Sequence, residues 1–274
     1  MLPCVDALEF RVKEPKLRDI FDQDAELYER ARPRYPASLV EELVRVAGAG
    51  PGVRVLEIAA GTGKLTVDLA GSGCSITAVE IGPNMAAVAR RQLAEFPGVE
   101  VVVAAFEQWE LPPEPFDAVV CATAFHWLDP AVRMPRAARA LRPGGLLGVV
   151  ATHHVAGGTE DFFAEVQECY ERWDPATPPG FRPTRESDLA TDRTEFTGSP
   201  HFTGVAVHGH PQEITYTTDG YIDLLLTYSN HRALPEAARN GLLADIRELI
   251  DSRYDGVVTK RYWHELITAV RVGT

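Results

Sequence analysis

The chain contains 274 residues, of which 45% are hydrophobic and 24% are charged, and its formal net charge is −12. This length supports a sizeable hydrophobic core in one large domain, or in a core with a cap. The acidic balance leaves no excess of basic side chains to neutralise phosphates, so it argues against nucleic acid as the main partner and disfavours anionic membranes.

The four cysteines, Cys4, Cys74, Cys121 and Cys169, are scattered along the chain without a close pair. Such spacing is not that of a metal site or a redox motif, and it indicates reduced thiols. We also expect no secretory signal, and no stretch approaches the roughly 20 apolar residues of a membrane span. The sequence therefore predicts a cytoplasmic protein, either a monomer or a homodimer.

The first 50 residues are charged and are predicted to be mainly helical. The segment Tyr28–Pro36 interrupts them with two prolines, which force an extended or turned path. Pro36 then suits the first position of a helix with an apolar stripe, and Gly48 ends that helix.

The stretch Val53–Glu80 organises the rest of the chain. Its pattern predicts a buried strand over Val53–Ile58 and a turn of small residues over Ala59–Gly63. A helix to about Ala70 and a second strand that ends at Glu80 follow. The turn glycines let the backbone bend sharply and approach a ligand closely. Open α/β sheets bind ligands at the carboxyl ends of such strands.

Strands and helices alternate up to residue 152, which predicts a parallel, doubly wound sheet. The predicted elements are a helix from Pro83 to Pro97-Gly98, strands Val99–Ala104 and Phe116–Cys121, a helical region near Asp129, and a strand Leu146–Ala151. Because Pro135 falls inside the helical region, that helix should be kinked or start late.

Beyond residue 152 the alternation is lost. We predict a helix over residues 159–173, a loop or lid over 174–200, a strand Val205–Thr217, a helical pair, and a last strand Tyr262–Val272. The predicted organisation is an N-terminal helical cap segment (1–48), a ligand-binding core (49–152), and the remaining strands with an inserted helical substrate lid (153–274).

The glycine-rich turn suits NAD, FAD or S-adenosylmethionine. A dinucleotide fingerprint needs a third glycine, but Thr66 occupies that place. Glu57 would repel a pyrophosphate and suits a cationic ligand, while Glu80 can accept hydrogen bonds from both hydroxyls of a ribose. These residues favour S-adenosylmethionine, and a merely structural turn is the remaining alternative.

Residues 20–152 resemble the class I S-adenosylmethionine-dependent methyltransferases of the small-molecule, type 11-like kind. The segment from Leu56 to Gly63 matches the family's E-x-G-x-G-x-G turn, except that Ala59 stands where the first glycine is usual. Four further motifs of the family have counterparts after this turn, in the same order and with the correct spacing. The resemblance implies a Rossmann-like seven-stranded sheet of order 3-2-1-4-5-7-6, with strand 7 antiparallel and helical cap or lid insertions.

The resemblance also implies the cofactor contacts. Glu80 corresponds to the ribose-binding acid, Ile81 and Met85 to apolar contacts of the adenine, and Ala105 replaces the usual Asp of the third motif. Tyr28 and Arg32, four residues apart on a helical turn, resemble a segment that covers the cofactor. The expected cofactor-binding set is Tyr28, Arg32, Glu57, Ala59, Gly61, Gly63, Glu80, Ile81, Met85, Ala105, Phe106, Glu107 and Ala122.

Three histidines follow predicted strands where the methyl acceptor should approach. His126 lies within Phe125-His126-Trp127 after the fourth strand, and His153 and His154 follow the fifth. Each is a candidate general base or acceptor-orienting group, and packing of the loops is the alternative. We expect no metal site, since no carboxylate or cysteine recurs at ligand spacing.

Aromatic side chains late in the chain have two interpretations. Tyr221, Tyr228, His231 and Trp173 are candidates for holding a substrate under the lid, or they are core residues of amphipathic helices.

The sequence thus predicts an S-adenosylmethionine-dependent methyltransferase that transfers a methyl group by direct displacement to a small-molecule acceptor, with secondary metabolism as its expected setting. S-adenosylhomocysteine would be the product. The alternatives are a methyltransferase-like cofactor-binding protein without transfer activity and an oxidoreductase on the same fold.

Overall fold

The computed structural model describes residues 21–273. The N-terminal helical prediction for residues 1–20, and Cys4, lie outside the described residues. The described chain divides into a helical unit (21–32, 153–190 and 211–263) and a core unit (33–152, 191–210 and 264–273). Strands β5, β6 and β7, whose bounds follow, have residues in both units.

Helices and strands alternate in the first half of the chain, as the sequence predicts. They are α1 (Ala25–Ala31), α2 (Ala37–Ala47), β1 (Arg54–Ile58), α3 (Lys64–Ala70), β2 (Ser75–Glu80), α4 (Pro83–Gln92), β3 (Val99–Val103), β4 (Phe116–Ala122) and α5 (Arg133–Ala140). Helix α5 starts late, with Pro135 in its first turn, which confirms the predicted effect of that proline.

The second half combines long strands with helices. Its elements are β5 (Leu141–Gly158), α6 (Glu160–Trp173), α7 (Thr194–Thr197), β6 (Phe202–Thr217), α8 (Thr218–Leu225), α9 (Ser229–Ala233), α10 (Glu236–Arg253) and β7 (Val257–Arg271). The predicted helical pair is therefore three helices. The last strand begins five residues earlier than predicted, because the Asp255-Gly256 turn precedes it with two positive φ angles, 50° and 74°.

The seven strands form one sheet in the order β3-β2-β1-β4-β5-β7-β6, and β7 is antiparallel. This confirms the predicted Rossmann-like architecture. Strand β1 lies between β2 and β4 and pairs with both in parallel, so that Glu57 is opposite Ala78 on one side and Val120 on the other. The carboxyl ends of β1, β2 and β4 therefore meet at one sheet edge.

Helices cover both faces of the sheet. On β1, Leu56 and Ile58 pack into one apolar cluster with Phe116 and Leu147, whereas Val55 packs into another with Leu39 and Leu65. Successive side chains of a strand point to opposite faces, so the two clusters bury the two faces of β1.

The helical unit has its own apolar cluster. Helices α6, α8 and α10 contribute most of its buried side chains, which include Phe162, Leu224, Leu242, Ile246 and Ile250. Within the described residues, no helix is both long and apolar enough to cross a membrane.

Candidate functional site

The turn after β1 has left-handed backbone at three places. The φ angles are 54° at Ala59, 59° at Gly61 and 86° at Gly63. A Cβ added at Gly63 would lie 3.3 Å from Leu93 Cδ1, so this glycine lets the turn pack closely on the residue that follows α4. A Cβ at Gly61 would meet nothing within 4 Å, so the space above Gly61 is open to a ligand.

The Glu80 carboxylate joins the two turns that follow β1 and β2. Its Oε2 accepts a hydrogen bond of 2.8 Å from the Gly61 N–H, and its Oε1 accepts one of 2.8 Å from the Gly82 N–H. The side chain is only 6% exposed. Because a carboxylate oxygen accepts more than one hydrogen bond, both oxygens can also accept from ribose hydroxyls. Glu80 thus shapes the turn and keeps capacity for a ligand.

Glu57 is a buried acid at the end of β1 with an unsatisfied oxygen. Its Oε2 has no hydrogen-bond partner among the described residues, and the same holds for the buried hydroxyls of Thr62 and Thr66. Burial, with smaller contributions from the charges of Glu80 and Asp68, raises the pKa of Glu57 to about 8. A ligand with N–H donors or a positive charge would satisfy this oxygen.

Ala59 adopts a backbone conformation that favours glycine, which explains why its place in the turn is usually glycine. We expect Ala59→Gly to stabilise the protein by about 0.5–1 kcal/mol, because relief of the left-handed strain exceeds the added chain entropy. Urea unfolding measures the change, and calorimetric titration should show S-adenosylmethionine affinity unchanged or modestly tighter.

Ala60→Gly is the matched control for this substitution. Ala60 is buried and has no positive φ, so its replacement should lower the unfolding free energy by about 1 kcal/mol. A large loss of cofactor affinity in Ala59→Gly would contradict the turn described here.

The other predicted cofactor-binding residues lie at or just after the carboxyl ends of β2, β3 and β4. Ile81 is half-buried and Met85 is buried in the first turn of α4. Phe106 is buried in the core, and its carbonyl accepts a 2.6 Å hydrogen bond from Arg136 Nε. The half-buried members of this set are Ala105, Glu107 and Ala122. The edge thus gathers these positions, and their contact with a cofactor stays a prediction.

Tyr28 and Arg32 belong to the helical unit and lie on the same side of α1, as predicted. The Arg32 guanidinium is 5.4 Å from the Tyr28 ring centroid and 4.1 Å from that of Tyr228. Its Nε donates to Thr227 Oγ1 at 2.7 Å and its Nη2 donates to the Thr227 carbonyl at 3.2 Å. These contacts fix the guanidinium within its own unit, and pairing with a cofactor carboxylate stays a prediction.

The three candidate histidines have different surroundings. His126 is half-buried in a short 3-10 turn, with its ring 4.9 Å from the Trp127 ring. His153 is half-buried, whereas His154 is 2% exposed and packs edge-on against Phe163 at 4.4 Å. Burial, followed by the charge of Lys260, lowers the pKa of His154 well below its usual value. His154 is therefore neutral near pH 7 and a weak base.

A line of polar groups in the core unit was not predicted from the sequence. Tyr35 Oη and Thr123 Oγ1 are 3.0 Å apart, Thr123 Oγ1 and Thr152 Oγ1 are 3.2 Å apart, and Thr152 Oγ1 lies 2.9 Å from His264 Nδ1. Thr123 follows β4 with φ at 57°, which is strained for a β-branched residue. Its position at the sheet edge therefore marks it as a candidate functional residue.

Among residues 21–273, no group of three or more His, Cys, Asp or Glu side chains is arranged to hold a metal ion. Cys74, Cys121 and Cys169 are buried free thiols. Burial raises the pKa of the Cys74 and Cys169 thiols, so neither is an activated nucleophile.

Part of the sequence is similar to known proteins. Residues 55–145 match the family described as a methyltransferase domain. An uncharacterized methyltransferase of Mycobacterium tuberculosis is 42% identical over 123 residues, which are 45% of this chain and 48% of that protein. The ubiquinone biosynthesis O-methyltransferase of Xylella fastidiosa is 36% identical over 102 residues, 36% of this chain and 41% of that protein. The chain thus spans about half the length of the curated relatives it matches, or less.

Among solved structures, phosphoethanolamine N-methyltransferase 2 of Haemonchus contortus, in complex with S-adenosyl-L-methionine, has a similar fold. The TM-score is 0.51 at 19% identity, over 100% of this chain and 61% of that chain.

The sheet order and the match over residues 55–145 are those of a methyltransferase domain. They bear out the resemblance to class I methyltransferases found in the sequence.

Proposed function

We propose that this chain is a methyltransferase that binds S-adenosylmethionine and transfers its methyl group by direct displacement to a small-molecule acceptor. One observation carries the proposal: the buried, unsatisfied Glu57 oxygen lies in the strand that leads into the open glycine turn, which Glu80 holds in place. A cationic nucleoside with ribose hydroxyls satisfies both acids and favours the ionised form of Glu57, whereas a pyrophosphate would disfavour that form.

The residues at this edge fit the cofactor. The amino group of its methionine part would donate to Glu57 Oε2, and the hydroxyls of Thr62 and Thr66 are further unsatisfied partners nearby in sequence. The ribose hydroxyls would donate to Glu80, and the open face of Gly61 admits the ligand close to the backbone. When bound, the cofactor supplies a methyl group that its sulfonium has already activated.

The protein's task is then to align the acceptor with that methyl group. Proximity and orientation supply roughly 7–11 kcal/mol of a barrier, so a strong base is needed only for a protonated or poorly ionised acceptor. His126 is the first candidate, because it follows β4 at the ligand-binding edge. His153 is the second candidate. His154 is the weakest, since its low pKa keeps it neutral.

A small molecule is the favoured acceptor. The net charge of −12 gives no overall attraction for a polyanionic RNA or DNA substrate. The relative from Xylella fastidiosa is named for an O-methylation in ubiquinone biosynthesis, which supports a small organic acceptor.

Calorimetric titration of the purified chain tests the cofactor. We expect S-adenosylmethionine and S-adenosylhomocysteine to bind one-to-one, and NADH to give no fluorescence change. Release of S-adenosylhomocysteine with a panel of phenols, amines and carboxylic acids then tests transfer. Absence of binding by both adenosyl compounds would overturn the proposal, and binding without transfer to any acceptor in the panel would favour a cofactor-binding protein.

A further inference from the structure

Lys260 is a buried cation in the helical unit. It lies in β7 and is only 3% exposed. Its Nζ donates a hydrogen bond of 3.0 Å to the Tyr228 hydroxyl. The same nitrogen lies 5.1 Å from the Tyr228 ring centroid and 4.9 Å from the Tyr262 ring centroid. Two aromatic rings and one hydroxyl thus enclose an ammonium group.

No acid neutralises this ammonium within the part of the chain that the structure describes. The ion pairs of residues 21–273 do not include Lys260, and its one hydrogen-bond partner there is a neutral phenol. An ammonium has three N–H donors, so two remain for another acceptor. Burial of an uncompensated charge is costly, and proteins normally pair such a group with an anion.

One further cation and two histidines are near Lys260, and the histidine pKa values reflect the positive potential there. The Arg32 guanidinium stacks 4.1 Å from the Tyr228 ring centroid. Burial, together with the charges of Lys260 and Arg32, lowers the pKa of His231 to about 3. Burial and the charge of Lys260 also lower the pKa of His154. The potential in this region therefore favours an anion.

Hydroxyl donors lie beside the cation. Tyr216 Oη and Tyr262 Oη are 2.9 Å apart, and Tyr228 Oη already contacts Lys260. These phenols can donate to an anionic oxygen, and their rings provide apolar surface for the rest of a small molecule.

We propose that Lys260, with the Tyr228 and Tyr262 side chains, binds the carboxylate group of a small organic acid within the helical unit. A carboxylate carries one negative charge, which matches the single buried ammonium, and its two oxygens accept the two remaining N–H groups. The residues that carry this inference all belong to the helical unit, so it stands separately from the cofactor site of the core unit.

A first test needs no ligand. Lys260→Met keeps most of the side-chain volume and removes the charge, so the ligand-free variant should melt about 3 °C or more above the wild type. Arg247→Met is the control, because Arg247 is 45% exposed and paired with an exposed Asp219 in the same unit, so its melting temperature should hardly change. A Lys260→Met variant that melts below the wild type would mean that the ammonium is already compensated, and would overturn the inference.

A second test uses matched probes with S-adenosylhomocysteine present at saturation. Benzoate, phenylacetate and 4-hydroxybenzoate are each compared with the corresponding amide and with phenyl phosphate by calorimetry. We expect at least one carboxylate to bind tenfold or more tightly than its amide, and this preference to vanish in Lys260→Met but not in Arg247→Met.

Failure of this inference differs from failure of the proposed function. Normal S-adenosylhomocysteine binding with no carboxylate preference, or with phenyl phosphate bound most tightly, would overturn the carboxylate site alone. Loss of S-adenosylhomocysteine binding by the wild type would instead overturn the proposed function. Tyrosinate absorbance near pH 7 that disappears in Lys260→Met would show internal neutralisation and would also overturn the carboxylate site.

Discussion

Glu80→Gln is expected to weaken S-adenosylmethionine binding by at least about 100-fold. The carboxylate accepts one backbone hydrogen bond on each oxygen, from Gly61 and from Gly82. Glutamine keeps one acceptor oxygen and turns its NH₂ group toward the other N–H, so two buried donors face each other. Hydrogen bonds to charged groups contribute about 1.5–3 kcal/mol each, and a 100-fold change corresponds to about 2.7 kcal/mol.

The ribose hydroxyls would lose their charged acceptor in the same variant, so turn geometry and ligand contact change together. Glu100→Gln is the matched control, because Glu100 lies exposed on β3 and its replacement should leave affinity unchanged. Calorimetric titration measures both variants, and circular dichroism checks that the sheet is kept. Native affinity in Glu80→Gln would remove Glu80 from the proposed cofactor site.

The first half of the fold was predictable because its signals are local. Gly61, Gly63 and Gly48 stand where the backbone is left-handed, and Pro83 begins a helix at its first position. Apolar runs between such residues define β1, β2 and β4 with errors of one residue at their ends. The strand order came from the family resemblance, because no local pattern fixes which strands are neighbours.

The polar contacts of both units were harder to predict because their partners are far apart in sequence. Lys260 contacts Tyr228, Thr152 lies beside His264, and the latter pair is separated by 112 residues. Lys260 also lies before Tyr262, where the predicted last strand begins. Its position in β7, and therefore its burial, was not predicted. Thr123 has no sequence signal for positive φ, because β-branched residues disfavour that conformation.

Glu57→Gln is expected to make the ligand-free protein more stable than the wild type at pH 9 and equally stable at pH 4.5. Burial raises the pKa of Glu57 from 4.5 to about 8 in the folded state. The stability provided by the protonated carboxyl is fully present below pH 4.5 and is lost as the pH rises through 8. At about 1.4 kcal/mol per pKa unit, the difference between the variants reaches at most roughly 5 kcal/mol.

Urea unfolding of both proteins from pH 4.5 to pH 9 measures this difference, and contributions from all other groups cancel in the comparison. If Glu57→Gln tracks the wild type over the whole range, Glu57 is not held protonated by burial.

The same raised pKa predicts how cofactor binding depends on pH. A cation bound beside Glu57 lowers the pKa of its carboxyl, so binding at pH 7 should release a proton and affinity should rise with pH up to about 8. Titrations in buffers of different ionisation enthalpy count that proton. Glu57→Gln should bind S-adenosylmethionine roughly 10- to 100-fold more weakly at pH 8 and release no proton, since one charge-assisted hydrogen bond is lost. Proton release that persists in Glu57→Gln would assign the titrating group elsewhere and leave the unsatisfied Glu57 oxygen without its proposed partner.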